Sequence, residues 1–500
     1  MRSSTADQLG ASERSGTVGR STWLARERAW TIAVWASMAV WTGVLFVIVR
    51  DGFLNFRVGR FDLGNMVQAV WSTSEGRFLE ITNGATGEQE LRLGSHADPF
   101  LALLSPAWLA WPSPLSLALA QIVAVALGAL PVYWLGRKHL ASERAAGLLA
   151  LAYLAYPWLA VTAVASIHPV TFAISFFLFA IWFLDSGRLV AFAVCALLAM
   201  TTGELVGLPI AALGVWYAVS RKERVAGGAI AAAGALWTFV AVYLIVPASS
   251  GGASVFYNFY ESVGDSPQGL FRMLFTDPLA IVGALLDAHD IAYVLLLGMP
   301  LLFLFVLSPG LALVALPQLL ANTLSDFRSM SDPRYHSIAA VVPFLVAATV
   351  FGISRVRTGR QLPLAAVVLV CSAVFGLAVG PWARAVGWTP LGGRASVPPD
   401  RATALADAVA LIPSGAAVSA SNTAGAHLSA RRYIYSIPNL GRADWVVVDT
   451  ADPWVVSRDS PILSNRPAAV GRFVERLQAD ASWSTEFERS GVVGLSRTDG

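Results

Sequence analysis

Charge is scarce in this chain of 500 residues: Asp, Glu, Lys and Arg together make up 13% of it. A soluble globular protein carries about 25% charged residues, so a soluble fold is excluded. With 56% hydrophobic residues and a mean hydropathy of +0.60, the composition is that of a polytopic membrane protein. The net charge is only +3, too small to point to nucleic acid as a partner. Cysteine is rarer still. Cys195 and Cys371 both sit inside apolar runs, which leaves no disulfide framework and no thiolate metal site, and assigns them to packing. Residues 1–28 are polar, with scattered arginines and no small-residue cleavage site after the first apolar run. They read as a disordered tail and not as a signal peptide.

What the chain has in abundance is apolar runs. They fall at 29–49, 114–136, 145–166, 169–185, 189–201, 205–219, 225–247, 291–308, 310–323, 337–354 and 362–380. Those on either side of residues 201–204, and 310–323, are short for a full span at 1.5 Å per residue. The run 99–111 is shorter again and reads as a re-entrant or interfacial piece. Basic residues cluster at Arg26/Arg28, Arg137 to Arg144, Arg188, Arg221 to Arg224 and Arg355 to Arg360. About eleven crossings from a cytoplasmic N-terminus put every cluster on the cytoplasmic side of the plasma membrane.

One ionisable residue interrupts the stretch from Val190 to Val219: Glu204, in "TTGE". A carboxylate near the middle of a spanning helix costs roughly 2.5–3.5 kcal/mol on insertion scales. The basic clusters offer a way out. Arg188 and Arg221 lie on the same side, so the chain between them goes out and returns, and "TTGE" is the turn of a short hairpin. Glu204 then sits near its outer tip, facing a cavity and not lipid.

The same threading places outside the segments 50–98, 248–290 and 325–337, and everything after about residue 381. His96, His168, His289 and His336 fall at outer helix ends or loops. Each alone reads as a hydrogen-bonded interfacial histidine. Together with Asp62, Asp98 and Glu204 on one face, they mark a functional site. His96 and Asp98, with His168, Glu204 or His336, are candidates for a divalent metal site, although the separations carry no ligand-spacing signature. The competing reading is a hydrogen-bonded cluster that holds the first outer loop on the bundle.

The chain therefore divides into a cytoplasmic tail (1–28), a transmembrane domain (29–380) and an outer domain (381–500). In the last, "DRATALADAVALIP" and "AVGRFVERLQAD" have helical periodicity, and "AAVSAS", "ADWVVVDT" and "SGVVGLSRT" read as strands. A small α/β domain is expected, with no GxGxxG, no Walker lysine loop and no nucleophile elbow. Asp449 and Asp452 read as strand-end turn residues.

Several blocks carry a resemblance: "GRFDLGNMVQAVWSTSEGRFLE", "HADPFLALLSPAWLAWPSPLSLALAQIVAVALGALPVYWLGRKHL", "SIHPVTFAISFFLFAIWFLDSGR", "LVGLPIAALG" after Glu204, "DPRYHSIAAVVPFL", and "IPSGAAVSASNTAGAHLSARRYIYSIP". Over roughly residues 50–450 the chain resembles the bacterial membrane-protein family called domain of unknown function 2079. That family in turn resembles type C glycosyltransferases, multispanning enzymes that move a sugar from a polyprenyl-phosphate carrier on the outer membrane face. The resemblance implies an essential acid in the first outer loop, where Asp62 stands. Many type C enzymes carry an acidic pair there, whereas Phe61 and Leu63 flank Asp62, which puts metal dependence in question.

Under that resemblance Asp62 and Glu204 are the candidate catalytic residues. His96, Asp98, His168, Arg334, Tyr335 and His336 are the candidate substrate-binding ones, with Arg334 and His336 facing the departing phosphate. The partners are membrane lipid, a lipid-linked sugar donor and a cell-envelope glycan, lipid or protein acceptor. "GRFDLGNMVQAVW" has helical spacing, so a short helix on the membrane surface is expected, with Asp62 near its N-terminus as base or as cap. Two other functions fit the hydropathy: a transporter or flippase of a lipid-linked precursor with Glu204 coupling protons, and a non-catalytic envelope-assembly scaffold.

Overall fold

The computed structural model describes residues 5–498 apart from 85, 252–254, 265–266, 383–396 and 458–459, with backbone only over 5–28, 255–258, 267–268, 270–271, 274, 457 and 460–463. It is mainly helical. Among the described residues four helices are long and apolar enough to cross a membrane: Ala29–Leu54, Pro114–His139, Arg224–Ser250 and Thr358–Val379. Two bent pairs add to them, Glu143–Ala155 with Pro157–Val164 at 46°, and Pro278–Leu285 with Ala288–Leu301 at 52°. Pro157 explains the first bend, because it donates no N–H to the turn before it and holds Tyr156 extended. Pro169–Asp185, Leu189–Met200, Glu204–Ser220 and Val342–Ser354 are shorter apolar helices.

Two expectations need adjusting. The segment 248–290, read as a loop, contains the helices Pro267–Thr276 and Pro278–Leu285. The expected disordered tail forms the N-terminal part of a helix running Thr5–Leu54, its side chains over 5–28 outside the described residues. The boundary expected at 381 adjoins 383–396, which also lies outside the described residues.

"TTGE" is indeed a turn. Leu189–Met200 leads into it and Gly207–Ser220 leads away. The second arm lies close against Arg224–Val240, because a Cβ on Gly207 would overlap the Gly234 carbonyl and one on Gly214 would overlap the Ala231 amide. Small residues permit such backbone contact where lipid supplies no hydrophobic drive.

One end of the bundle is basic. The Asp185 carboxylate receives Lys138 at 2.7 Å, His139 at 2.8 Å and Arg221. Arg137 faces Glu143 at 3.6 Å, and the Ala141 N–H donates to Gln361 at 3.0 Å. The loops 137–144, 185–188, 220–224 and 355–361 therefore meet at this end, with Arg188 beside Arg137 and Lys138 at the rim of a cavity.

At the opposite end the first loop folds inward. The helix Asn65–Ser74 was expected to lie on the membrane surface. Met66, Val67, Ala69 and Val70 are instead buried against Phe100, Leu101, Trp108, Leu117 and Phe172, because both of its faces have partners. The second face meets the C-terminal domain. Gln68 donates to the carbonyls of Arg431 and Arg432, at 3.1 and 3.0 Å.

That domain has the expected α/β character. Its five-stranded sheet runs Ile434–Ser436, Val418–Ala420, Trp445–Asp449, Val492–Arg497, Trp483–Arg489 from edge to edge, the first three parallel and the last two antiparallel. Pro399–Ala410 and Pro467–Gln478 supply two hydrophobic cores around it. Asp449 and Asp452 close the turn after the central strand. Asp452 accepts from the Thr423 N–H at 2.7 Å and Asp449 from the Ala451 N–H at 3.0 Å.

Candidate active site at one end of the bundle

The turn Arg60–Gly64 is a π-helical turn that runs directly into Asn65–Ser74. Asp62 sits in its first turn, half-buried. The residue at the cap position is Gly59, and Asp62 is the acid of the first turn.

Glu204 answers the question its position raised. One carboxylate oxygen meets His96 Nδ1 at 3.1 Å and the other accepts the Ala97 N–H at 3.1 Å. Its turn is held from two directions: the Phe100 N–H donates to the Thr201 carbonyl, and the Trp237 indole to the Gly203 carbonyl, both at 3.0 Å. Burial opposes ionisation of Glu204, but His96 and the amide donors outweigh it and hold the carboxyl below its ordinary range. The insertion cost is avoided because the charge is paired and sits at the turn between two helices, not in the middle of a span.

Asp98 is buried in the same loop. Arg92, itself 4% exposed, grips one of its oxygens through Nε at 3.1 Å and Nη2 at 2.8 Å. The other oxygen has no partner among the described residues. Burial pushes the Asp98 carboxyl up, against the pull of Arg92.

His168 and His336 stack face to face, ring centroids 3.8 Å apart, with Tyr335 packed against His336 at 4.0 Å. Gln121, fully buried, accepts the His168 N–H at 2.9 Å and fixes its backbone. His168 Nδ1 lies 2.8 Å from the Ser166 carbonyl. A carbonyl only accepts, so Nδ1 donates and neutral His168 keeps its lone pair on Nε2. Burial lowers the His168 pKa, with Asp62 and the Ser166 carbonyl working against it. His336 is pushed well below its ordinary value by burial and by His168 and His96. Burial and Asp62 together raise the Tyr335 hydroxyl.

Asp62 thus lies within electrostatic reach of His168 and Tyr335, and His96 within reach of His168, His336 and Asp98. The geometry brings together seven of the eight residues singled out in the sequence. The exception is Arg334, more than half exposed, whose fork closes on Asp332 at 2.6 to 3.1 Å. His289 likewise turns away, to the Arg328 carbonyl at 3.2 Å.

Two members had not been singled out. Arg92 is the buried cation of the group, and Gln121 sets the His168 backbone. Gln121 had a legible signal, as the single amide in the apolar run 114–136.

A divalent metal does not fit this arrangement. His96 is engaged by Glu204 and Asp98 by Arg92. Among the described residues no group of three or more His, Cys, Asp or Glu is placed to hold a metal ion. Nothing in the described residues therefore supports the divalent metal expected at His96 and Asp98.

A family profile for predicted membrane proteins, DUF2079, matches residues 53–494. The chain belongs to the DUF2079 family. No curated protein matches this DUF2079 chain. Among solved structures, that of ArnT from Cupriavidus metallidurans bound to undecaprenyl phosphate is similar to it. The TM-score is 0.50 at 13% identity, over 92% of this chain and 97% of that one. The archaeal oligosaccharyltransferase AglB from Archaeoglobus fulgidus, in complex with an inhibitory peptide and a dolichol-phosphate, is similar at a TM-score of 0.42 and 12% identity. That match covers 83% of this chain and 69% of that one. The chain therefore shares its overall fold with that ArnT structure.

Proposed function

We propose that this DUF2079 protein is an integral-membrane glycosyltransferase. It moves a sugar from a polyprenyl-phosphate donor to a hydroxyl-bearing acceptor of the cell envelope. The observation that carries the reading is the convergence of Asp62, His168, His336, Tyr335, His96, Glu204 and the Arg92–Asp98 pair at one end of the bundle. Support comes from the fold shared with ArnT, whose structure holds undecaprenyl phosphate.

In this reading Asp62 takes the proton of the acceptor hydroxyl as its oxygen attacks the anomeric carbon. The bond from that carbon to the phosphate oxygen breaks, and the polyprenyl phosphate leaves with the electron pair. Arg92 and the neutral His336 ring, which keeps one N–H, stabilise the leaving phosphate in a site with little water. Glu204 and His96 hold the first loop to the hairpin turn that forms its floor. The half-buried position of Asp62, and its carboxylate beside a histidine with a free Nε2 lone pair, suit proton removal.

The basic end is then cytoplasmic and the site and C-terminal domain face outward. An impermeant thiol reagent should label a cysteine introduced near Ser421, and not one near Gly359, in intact cells.

The test is direct. Purified protein is incubated with a panel of polyprenyl-phosphate sugars, and sugar release or transfer is followed. Turnover of one donor supports the reading. Binding of several without turnover of any would favour a flippase of lipid-linked precursors.

A further inference from the structure

The C-terminal domain has no catalytic motif, yet it holds the turn that carries Asp62. The Phe61 N–H donates to the Asn422 side chain at 2.9 Å. Arg60, 1% exposed, reaches across to three oxygens: Ser436 Oγ at 2.8 Å, the Ile434 carbonyl at 2.7 Å and the Thr82 carbonyl at 3.1 Å. No carboxylate pairs with it among the described residues. Burial lowers the Arg60 pKa to about 10, so it stays charged at neutral pH. A buried cation held by neutral oxygens alone is costly. Its geometry, a rigid fork spanning two parts of the chain, is what such a group supplies.

The surrounding glycines show how close the approach is. A Cβ on Gly59 would overlap the Asn422 side chain, one on Gly64 would overlap Ser429 Oγ, and one on Gly425 would lie 2.9 Å from the Arg60 stem. Phe53 and Phe56 close the same seam by sandwiching the His427 ring, at 4.1 and 4.0 Å. Residues 60, 61 and 64 of the π-helical turn thus face the C-terminal domain, while Asp62 lies within electrostatic reach of His168 in the bundle. A π turn costs regular helical bonding and recurs at functional sites.

We propose that the C-terminal domain is a positioning device for Asp62, acting through Asn422 and Arg60 on the Arg60–Gly64 turn. The inference rests on Asp62 being the base of the proposed transfer. Misplacement of a reacting group by 1 Å can cost about 10²-fold in rate.

The test uses the full chain in detergent with whichever polyprenyl-phosphate sugar it turns over. Asn422→Ala removes the acceptor of the Phe61 N–H from a half-buried position, so the fold should survive. Its kcat should fall by at least about tenfold with little change in KM for the donor, and Asn422→Asp, which keeps an acceptor oxygen, should restore it. In an Asp62→Asn background, Asn422→Ala should cost nothing further, because both act through one group. Amide hydrogen exchange over residues 61–65 should quicken in Asn422→Ala while the five-stranded sheet keeps its protection. Arg60→Lys, which cannot reach all three oxygens, should show the same pattern more strongly.

Wild-type kcat in Asn422→Ala and Arg60→Lys would overturn the proposal. So would losses that multiply with that of Asp62→Asn. Hydrogen exchange needs no substrate, so it separates the two layers. Unchanged exchange at 61–65 removes the positioning role even if the protein is a transferase. Quickened exchange in a protein that turns over no donor upholds the clamp and removes the catalytic reading.

Discussion

The two ends of the helical bundle use the same residue types to opposite effect. At the basic end one carboxylate, Asp185, is saturated by Lys138, His139 and Arg221, and its side chain is fully buried beneath them. At the other end the polar groups are only partly matched. The unpartnered buried side-chain atoms among the described residues include Asp98 Oδ1, Ser166 Oγ, Thr171 Oγ1, Asp290 Oδ1 and Ser331 Oγ, and none belongs to the loops of the basic end. A saturated cluster fixes loops. An unsaturated one keeps hydrogen-bonding capacity for something else, and an unmet buried polar group costs about 1–3 kcal/mol that function must justify.

Crossed substitutions sharpen the contrast. Asp62→Asn should lower kcat by at least roughly 10²-fold, a loss of about 2.7 kcal/mol in transition-state stabilisation, with thermal stability unchanged. Asp185→Asn should do the reverse, destabilising the fold by about 2 kcal/mol through weakened charge-assisted bonds while leaving kcat intact. Turnover assays and thermal melts on both variants check this. An inactive, stable Asp185→Asn would erase the distinction between the ends.

The smallest effect is a pH dependence at Glu204. Its folded carboxyl lies below the ordinary 4.5, so the pair with His96 stabilises the fold above the unfolded pKa. That contribution is lost as pH falls through the folded value. Glu204→Gln should therefore melt below wild type at pH 7, and the gap should close on acidification below 4.5. A gap that widens toward acid would mean the charged form is not the stabilising one.

The sequence made some of this plain and hid the rest, for physical reasons. Apolar runs and basic clusters disclosed the bundle, because lipid enforces long helices and retains cations on one side. The "TTGE" hairpin followed from Arg188 and Arg221 alone. The inward packing of Asn65–Ser74 did not. Its apolar face could be read from spacing, but its second partner, the segment 422–436, lies more than 350 residues away and meets it through backbone carbonyls that carry no sequence signal. Arg334, expected to face the phosphate, pairs in the structure with Asp332, two residues before it. The stacking of His168 on His336 is likewise a product of topology.

The central claim is that the unsaturated end receives the phosphate of a polyprenyl carrier. A polyprenyl phosphate bearing a photoreactive group next to its phosphate, cross-linked to the purified protein and mapped by peptide, tests it most directly. The account predicts labelling within 58–100, 165–170 and 325–340, reduced by excess unmodified polyprenyl phosphate. Labelling confined to 137–144, 185–188 and 220–224, at the basic end, would contradict it.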